Sequence, residues 1–266
     1  MQGSLTDKTP ASLQPDVHAS ALENRWIALP GWRMHFRANT SAKNLPTVVL
    51  VHGLIIASTY MMPTAEGLAP FCRVLAPDLP GYGQSFKPWP ILDMAGLADA
   101  LAAWMDALEI AQAHLVGNSF GCQVIAEFAA RYPHRVARLV LQGPTMDAAA
   151  RSILKQIWRS ILNSPNEPPS LGRISLQDYR AAGIRRVCET YRLAFRDRIE
   201  EKLPHIQAPT LVVRGGKDPI VPQRWAEEVT RLLPSGTLRV IPGVGHTINY
   251  SAPRRFVELI RPFLEI

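Results

Sequence analysis

The chain has 266 residues, of which 47% are apolar and 19% charged, and its formal net charge is +7. This length suits one large α/β domain, and the composition is that of a globular protein rather than a disordered chain. No apolar run reaches the length of a membrane-spanning helix, and no basic run is interleaved with aromatic residues. We therefore expect neither a membrane nor a nucleic-acid partner.

The first residues and the cysteines indicate the compartment. Residues 1–22 are mostly polar, are broken by prolines and lack the basic head and apolar core of a secretory signal, which predicts a flexible N-terminal arm. Three cysteines, Cys72, Cys122 and Cys188, show no metal-ligand spacing. Their odd number predicts buried free thiols in a reducing cytoplasm.

Strand patterns begin shortly after the arm. Residues 25–29 and 32–37 are joined by Pro30-Gly31, a turn signal that predicts an antiparallel hairpin. Residues 47–51 form a continuous β-branched and apolar run, which is typical of a strand covered on both faces in a parallel sheet. Similar runs follow at residues 71–75, 113–116, 136–141, 211–214 and 237–241.

Helical patterns alternate with these strands. Apolar residues recur at helical spacing over residues 97–108 and 124–129, and two late helices are predicted at residues 225–233 and 254–264. Strands that alternate with helices predict an α/β fold whose sheet is mainly parallel and covered by helices on both faces.

The alternation is interrupted once, from about residue 146 to residue 205. This arginine-rich stretch is helix-like and has no strand signal. An insertion of this length predicts a helical cap, or lid, over the strand ends, where α/β sheets bind their ligands. We therefore predict a core made of residues 23–145 and 206–266, with a cap over residues 146–205. The charges of the cap are interpreted as a solvated surface.

The strongest local signal is Gly-Asn-Ser-Phe-Gly at residues 117–121, between a predicted strand and a helix that begins near Phe120. A nucleophile has to project from a tight strand-to-helix turn, and flanking glycines remove the Cβ atoms that would clash there. The helix N-terminus adds aligned N–H groups. The pattern predicts Ser119 as the nucleophile, with a helix-capping serine as the alternative.

A serine hydroxyl requires a base, and the base requires a third group that orients it. His246 lies in a glycine-rich loop after the strand pattern at 237–241 and is the predicted base. Asp218 follows the strand pattern at 211–214 and is the predicted acid, with capping of the next helix as its alternative role. Asp147, which follows an earlier strand, is the rival acid.

An oxyanion hole requires two N–H donors that face the reacting carbonyl. We predict the backbone amides of Phe120 and of Leu54, which lies in the loop after residues 47–51. His52 is interpreted as a structural residue of that loop. Ser58 and Tyr60 are candidates for the pocket wall, and the start of a helix is the alternative role of Ser58.

Together these segments resemble the α/β-hydrolase family from about Asn24 onward. Val-His-Gly at residues 51–53, the loop at residues 78–85 and the nucleophile, acid and base occur in the order typical of that family. The resemblance implies an eight-stranded sheet with an inserted helical cap and no metal or organic cofactor. It also implies that the loop at residues 78–85 is structural.

The residue at the centre of the strand-to-helix turn of residues 117–121, called the elbow, differs between branches of the family. Ser119 argues against the dehalogenase and epoxide-hydrolase branches, which use an aspartate at this position. Gly117-Asn118-Ser119 resembles the meta-cleavage-product hydrolases, which cut carbon–carbon bonds in vinylogous diketones. Residues 54–58 and Thr247 depart from that branch, which has a Gly/Pro-rich loop and a tryptophan there. Bacterial carboxylesterases and lactonases of the same build fit as well.

These observations favour a serine hydrolase that cleaves carboxylic esters of small to medium apolar substrates through an acyl-serine. The alternative is a carbon–carbon bond hydrolase, for which Asn118 is a substrate-binding candidate and a cap arginine could pair with a substrate carboxylate. A third hypothesis, of another class, is a ligand-sensing receptor on the same fold. In the first two a small molecule is the substrate, and the sequence leaves the oligomeric state open.

Overall fold

The computed structural model describes residues 22–39 and 44–266, so residues 1–21 of the predicted arm lie outside the described residues. Its eight strands form one sheet in the order β1-β2-β4-β3-β5-β6-β7-β8. The strands are β1 Glu23–Leu29, β2 Trp32–Ala38, β3 Thr47–Val51, β4 Arg73–Pro77, β5 Ala113–Asn118, β6 Val136–Gln142, β7 Thr210–Gly215 and β8 Gly236–Ile241.

Strand direction follows the sequence expectation. β1 and β2 form the antiparallel hairpin, and β2 is also antiparallel to β4. Every later neighbouring pair, from β3 with β4 to β7 with β8, is parallel. The predicted α/β fold with a mainly parallel eight-stranded sheet is therefore confirmed.

Ten α-helices occur in the described part of the chain. They are α1 Met62–Leu68, α2 Met94–Ala107, α3 Phe120–Arg131, α4 Ile153–Asn163, α5 Pro169–Ala182, α6 Ile184–Arg196, α7 Ile199–Lys202, α8 Gln223–Leu232, α9 Ile248–Ser251 and α10 Pro253–Leu264. None of these helices is long and apolar enough to cross a membrane.

Helices cover both faces of the sheet. In β3, Val49 and Val51 join a core packed against α2, α3 and α8, while Val48 and Leu50 join a second core packed against α1 and α10. Successive strand residues point to opposite faces, so a strand buried on both sides must be apolar at every position. This requirement explains the continuous apolar run at residues 47–51.

Two local sequence predictions are wrong. The strand predicted at residues 71–75 begins at Arg73, because the amide of Phe71 donates to the carbonyl of Leu68 (2.9 Å) and closes the turn after α1. Cys72 and Cys122 are buried free thiols as predicted, but Cys188 is exposed. Cys188 lies on α6, a helix with polar and exposed positions along most of its length.

One stretch of helices separates β6 from β7. It contains α4 to α7 and the short 3-10 turns Ala148–Ala150, Ser164–Asn166 and Leu203–His205. We call residues 148–205 the helical insertion. It occupies the place in the chain where the sequence predicts a cap.

Asp78 connects the hairpin to the loops on the site side of the sheet. Its buried carboxylate accepts hydrogen bonds from Nδ1 of His35 (2.7 Å), the amide of Ser58 (2.8 Å) and the amide of Gln84 (2.9 Å). Burial alone would raise the pKa of Asp78, but these hydrogen bonds outweigh it and hold the pKa well below its usual range. Asp78 is thus a structural anchor, as the family resemblance implies.

We expect Asp78→Asn to lower the free energy of unfolding by about 3 kcal/mol near neutral pH, because one acceptor of a buried charged network is lost. A carboxyl whose pKa is depressed by folding stabilises the protein above its unfolded-state pKa of about 3.9. The difference between the proteins should therefore shrink as the pH falls below that value. Denaturant unfolding at several pH values measures both effects.

The matched control is Asp106→Asn, since Asp106 is 65% exposed and pairs with Arg135 at the surface. Its effect should stay within about 1 kcal/mol. Equal losses in the two variants would contradict the anchoring role of Asp78.

Candidate active site

Ser119 occupies the sharp turn between β5 and α3. Its backbone has φ 55° and ψ −115°, a conformation that residues other than glycine rarely adopt. The amide of Ser119 donates to the carbonyl of Gln142 (2.9 Å), and the amide of Cys122 donates to the carbonyl of Ser119 (2.9 Å). Such backbone strain persists only where the surrounding structure holds it, and it is concentrated at functional sites.

The two glycines of the elbow are required by close approach. A Cβ on Gly117 would lie 2.8 Å from the backbone carbonyl carbon and oxygen of Gly121, and a Cβ on Gly121 would overlap the carbonyl oxygen of Val51. Carbon atoms in proteins do not approach this closely without a shift of the backbone. The turn therefore needs glycine on both sides of Ser119.

His246 and Asp218 form a buried pair. Nδ1 of His246 lies 2.7 Å from Oδ2 of Asp218, and Oδ1 of Asp218 accepts the amides of Ile220 (2.8 Å) and Val221 (3.0 Å). A carboxylate on Nδ1 fixes the tautomer in which Nδ1 carries the proton, which leaves Nε2 as the basic nitrogen.

Nε2 of His246 is buried, and no group in residues 22–39 or 44–266 hydrogen-bonds to it. His246 and Ser119 line the same pocket, although their side chains are not hydrogen-bonded to each other. In enzymes without substrate this bond is often long and shortens when substrate binds. Nε2 is thus the ring nitrogen that could accept a proton from Ser119, the predicted nucleophile.

The electrostatic surroundings of His246 favour its charged form. Burial alone would lower the pKa of His246. The charge and hydrogen bond of Asp218, together with the charge of Glu167, raise the pKa by more than burial lowers it, so the pKa lies above its usual value. The imidazolium that forms when His246 accepts a proton is therefore stabilised.

The rival acid Asp147 is engaged elsewhere. Its buried carboxylate pairs with Arg159 of α4 (2.9 Å) and with Arg224 of α8, and it accepts the amide of Ala149 (3.0 Å). It makes no hydrogen bond with His246. Asp147 thus connects the helical insertion to the core.

The two residues predicted to supply the oxyanion donors are Leu54 and Phe120. Leu54 lines the pocket, and Phe120 is the first residue of α3. Within the described ranges, neither backbone amide donates to a protein acceptor. Next to Leu54, Ile55 has φ 65°, a strained value for a β-branched residue. His52 fixes this loop, since its Nδ1 bonds to the carbonyl of Gly53 (2.9 Å) and its Nε2 accepts the amide of Leu79 (2.9 Å).

A continuous chain of buried hydrogen bonds runs beneath the pocket. The amide of Gly53 donates to the Tyr60 hydroxyl (2.7 Å), which donates to Oδ1 of Asn118. Nδ2 of Asn118 donates to Oε1 of Gln142 (2.7 Å), and Nε2 of Gln142 donates to the carbonyl of His246 (2.6 Å). These hydrogen bonds connect the loop that contains Gly53 and Leu54, the elbow, and the loop that carries His246, which we call the histidine loop.

The three predicted substrate-binding residues differ in their positions. Asn118 and Tyr60 line the pocket, but their polar atoms are engaged in the buried chain. Ser58 is not among the described residues that line the pocket. Its amide donates to Asp78, and its hydroxyl accepts Nη1 of Arg37 (3.2 Å). Ser58 therefore begins a 3-10 turn next to the site, which agrees with the alternative given for it.

The pocket has a volume of about 320 Å³ and is lined by both the core and the helical insertion. Among the described lining residues, His246 and Glu167 are the ionisable groups apart from tyrosines, and no lysine or arginine contributes. Across the same described ranges, no group of three or more His, Cys, Asp or Glu side chains is arranged to hold a metal ion. The residues from the insertion are Gln156, Ser160, Asn163, Glu167, Leu171, Ser175, Tyr179, Tyr191 and Phe195.

Sequence reasoning did not identify a contact between the insertion and the histidine loop. Oδ1 of Asn163 accepts the amide of His246 (3.1 Å), and Oε1 of Glu167 accepts the amide of Thr247 (2.9 Å) and Nδ2 of Asn163 (2.8 Å). A Cβ on Gly245 would lie 2.8–2.9 Å from these side chains, so the glycine permits the contact. Only the Gly-rich character of the loop could have suggested it.

The chain was compared with known proteins. The sequence model of the alpha/beta hydrolase family matches residues 48–259. A 2-hydroxy-6-oxo-2,4-heptadienoate hydrolase of Pseudomonas putida is 29% identical over 82% of this chain and 88% of its own. A pimeloyl-[acyl-carrier protein] methyl ester esterase of Neisseria meningitidis is 29% identical over 86% and 98%. A thermophilic esterase structure from Thermogutta terrifontis has a TM-score of 0.76 at 26% identity, covering 91% and 98%.

The position of Glu167 predicts that its charge helps to set the pKa of His246. Glu167→Gln retains a side-chain oxygen for Asn163 and Thr247 but removes the charge, so the pKa of His246 should fall relative to the unmodified protein. An NMR titration of the His246 ring proton, assigned with His246→Gln, measures the change. Glu201→Gln, at an exposed position paired with Arg198, is the control and should leave the pKa unchanged. An unchanged or higher pKa in Glu167→Gln would contradict the prediction.

Proposed function

Because the chain belongs to the alpha/beta hydrolase family, we propose that it is a serine hydrolase that cleaves carboxylic esters of small to medium, neutral and largely apolar substrates. One observation carries the proposal. Ser119 and His246 line a single pocket, Nε2 of His246 has no hydrogen-bond partner among the described residues, and Asp218 holds the other ring nitrogen. Nucleophile, base and orienting acid thus have the arrangement of a hydrolytic triad.

The proposed reaction has two halves. Nε2 of His246 takes the proton of Ser119 as Oγ attacks the ester carbonyl carbon, and the amides of Leu54 and Phe120 donate to the oxyanion. The intermediate expels the alcohol, which takes the proton from His246, and leaves an acyl-Ser119. Water then gives a proton to His246 and attacks the acyl carbon. The carboxylic acid departs and Ser119 regains its proton.

The pocket favours an ester over a dienoate. In the carbon–carbon bond hypothesis a cap arginine pairs with the substrate carboxylate, yet no lysine or arginine is among the described pocket residues. Glu167 places a carboxylate there instead, which repels an anionic substrate. The Pseudomonas putida relative is named for a heptadienoate, which keeps this activity as the second candidate.

We also propose roles for the parts of the chain. The helical insertion acts as a cap over the core of residues 23–145 and 206–266, because α4, α5 and α6 supply pocket residues. The free thiols Cys72 and Cys122 suit a reducing cytoplasm. A small molecule is the proposed substrate. A ligand-sensing receptor would instead show ligand-dependent partner binding without turnover.

Ser119→Ala should reduce kcat for p-nitrophenyl butyrate by roughly a million-fold, since the nucleophile is removed. A fluorophosphonate should label the unmodified protein at one peptide containing Ser119, as read by mass spectrometry, and should not label the variant. Ser235→Ala, at an exposed position in the turn before β8, is the control and should behave as the unmodified protein.

Retention of ester turnover by Ser119→Ala would refute the proposal. Consumption of 2-hydroxy-6-oxo-2,4-heptadienoate by a protein that is inert toward esters would select the carbon–carbon activity instead.

A further inference from the structure

The insertion carries a second concave surface, outside the catalytic pocket. A groove of about 650 Å³ lies between α4 and α6 and is lined mainly by apolar side chains. We propose that this groove binds an unbranched hydrocarbon chain of the ester substrate. The proposal rests on the proposed function and assigns its substrate class, an ester with one medium to long alkyl or acyl chain.

The groove has a regular apolar wall. Ile153, Ile157 and Ile161 follow one another at four-residue spacing on α4 and form a stripe that faces Val187 and Phe195 of α6. This stripe extends for about 12 Å along the helix axis, from a rise of 1.5 Å per residue. None of the groove residues carries a charge. Such a wall suits an extended chain that has no polar groups of its own.

Within residues 22–39 and 44–266, this wall is left open to solvent. Ile153, Ile157 and Ile161 are 58%, 53% and 57% exposed. Large apolar side chains that lie together on a surface usually mark a binding site, because their exposure to water is unfavourable. A bound chain would cover them.

The groove adjoins the catalytic pocket, which points to a substrate chain as its occupant. Gln156, Ser160, Tyr191 and Phe195 line both spaces. A substrate whose ester carbonyl lies at Ser119 can therefore extend a chain past these residues into the groove. A partner protein bound in the groove would not need to contact Ser119, whereas the chain of a substrate is attached to the carbonyl that lies there.

Cys188 offers a selective way to block the groove. It is an exposed thiol that lines the groove but not the catalytic pocket, and the other two cysteines are buried. A bulky apolar maleimide, N-cyclohexylmaleimide, should thus react at Cys188 and fill the groove without touching Ser119 or His246.

The test measures kcat/KM for p-nitrophenyl esters from acetate to decanoate and for acetate esters from ethanol to decanol. In one of the two series kcat/KM should rise by up to about fourfold per methylene, the value for full burial of a CH₂ group. After maleimide treatment the longest substrate of that series should lose at least about tenfold, while p-nitrophenyl acetate stays within about twofold. Treated Cys188→Ser should keep the profile of the unmodified protein.

Ile157→Asp gives an independent variant, because it places a charge in the groove wall and not in the catalytic pocket. It should show the same selective loss. Flat profiles in both series, or equal losses for short and long substrates, would overturn the proposal. Slow labelling of Cys188 that speeds up on dilution would also overturn it, because a second copy of the chain would then cover the groove.

Failure of the proposed function would be recognised separately. A protein that hydrolyses no ester and resists the fluorophosphonate would refute the serine esterase. Calorimetric titration with decanoate would then test binding in the groove independently of ester hydrolysis. Binding to the unmodified protein that is weakened at least about tenfold in Ile157→Asp supports the groove, and absence of binding overturns it.

Discussion

The site depends on how completely His246 is held. Nδ1 of His246 bonds to Asp218, its carbonyl accepts a hydrogen bond from Gln142, and its amide donates to Asn163. Two of these polar groups are therefore fixed by residues at or just after the ends of β6 and β7, and the third is fixed by the helical insertion. Only Nε2 lacks a hydrogen-bond partner in the described structure. A residue constrained in this way presents one nitrogen in one direction, which is what proton transfer to and from a fixed oxygen requires.

The core and the helical insertion contribute different properties to this site. The core supplies the reactive groups and ties them together through the uncharged chain from Gly53 to Gln142. The insertion supplies nine of the twenty described residues that line the pocket, including Glu167, together with the apolar groove. Substitutions in the insertion can therefore alter which substrate binds without altering the groups supplied by the core. The exception is the contact of Asn163 and Glu167 with the histidine loop.

Much of the fold, and the sharp turn around Ser119, could be predicted because their signals are local. Continuous apolar runs such as residues 47–51 identify buried strands, and the glycines around Ser119 identify the turn. The part of the pocket wall that the insertion supplies could not be predicted, because it depends on which faces of its helices pack inward. For the same reason the exposure of Cys188 was missed. The partners of Asn118 are far away in the chain, and no pattern encodes them.

The insertion between β6 and β7 also has a consequence for the order of assembly. β5 and β6 pair at residues 23 or 24 positions apart (Ala113 with Val136, Leu115 with Leu139). β7 can pair with β6 only after the whole stretch from Gln142 to Thr210 is closed into a loop, and β3 pairs with β5 over a similar separation. Contacts between distant residues form slowly, since chain entropy is lost before they stabilise the structure. Asp218 and His246 lie beyond that loop. The turn around Ser119 can thus form before Asp218 and His246 reach it, so the candidate site is completed late in folding.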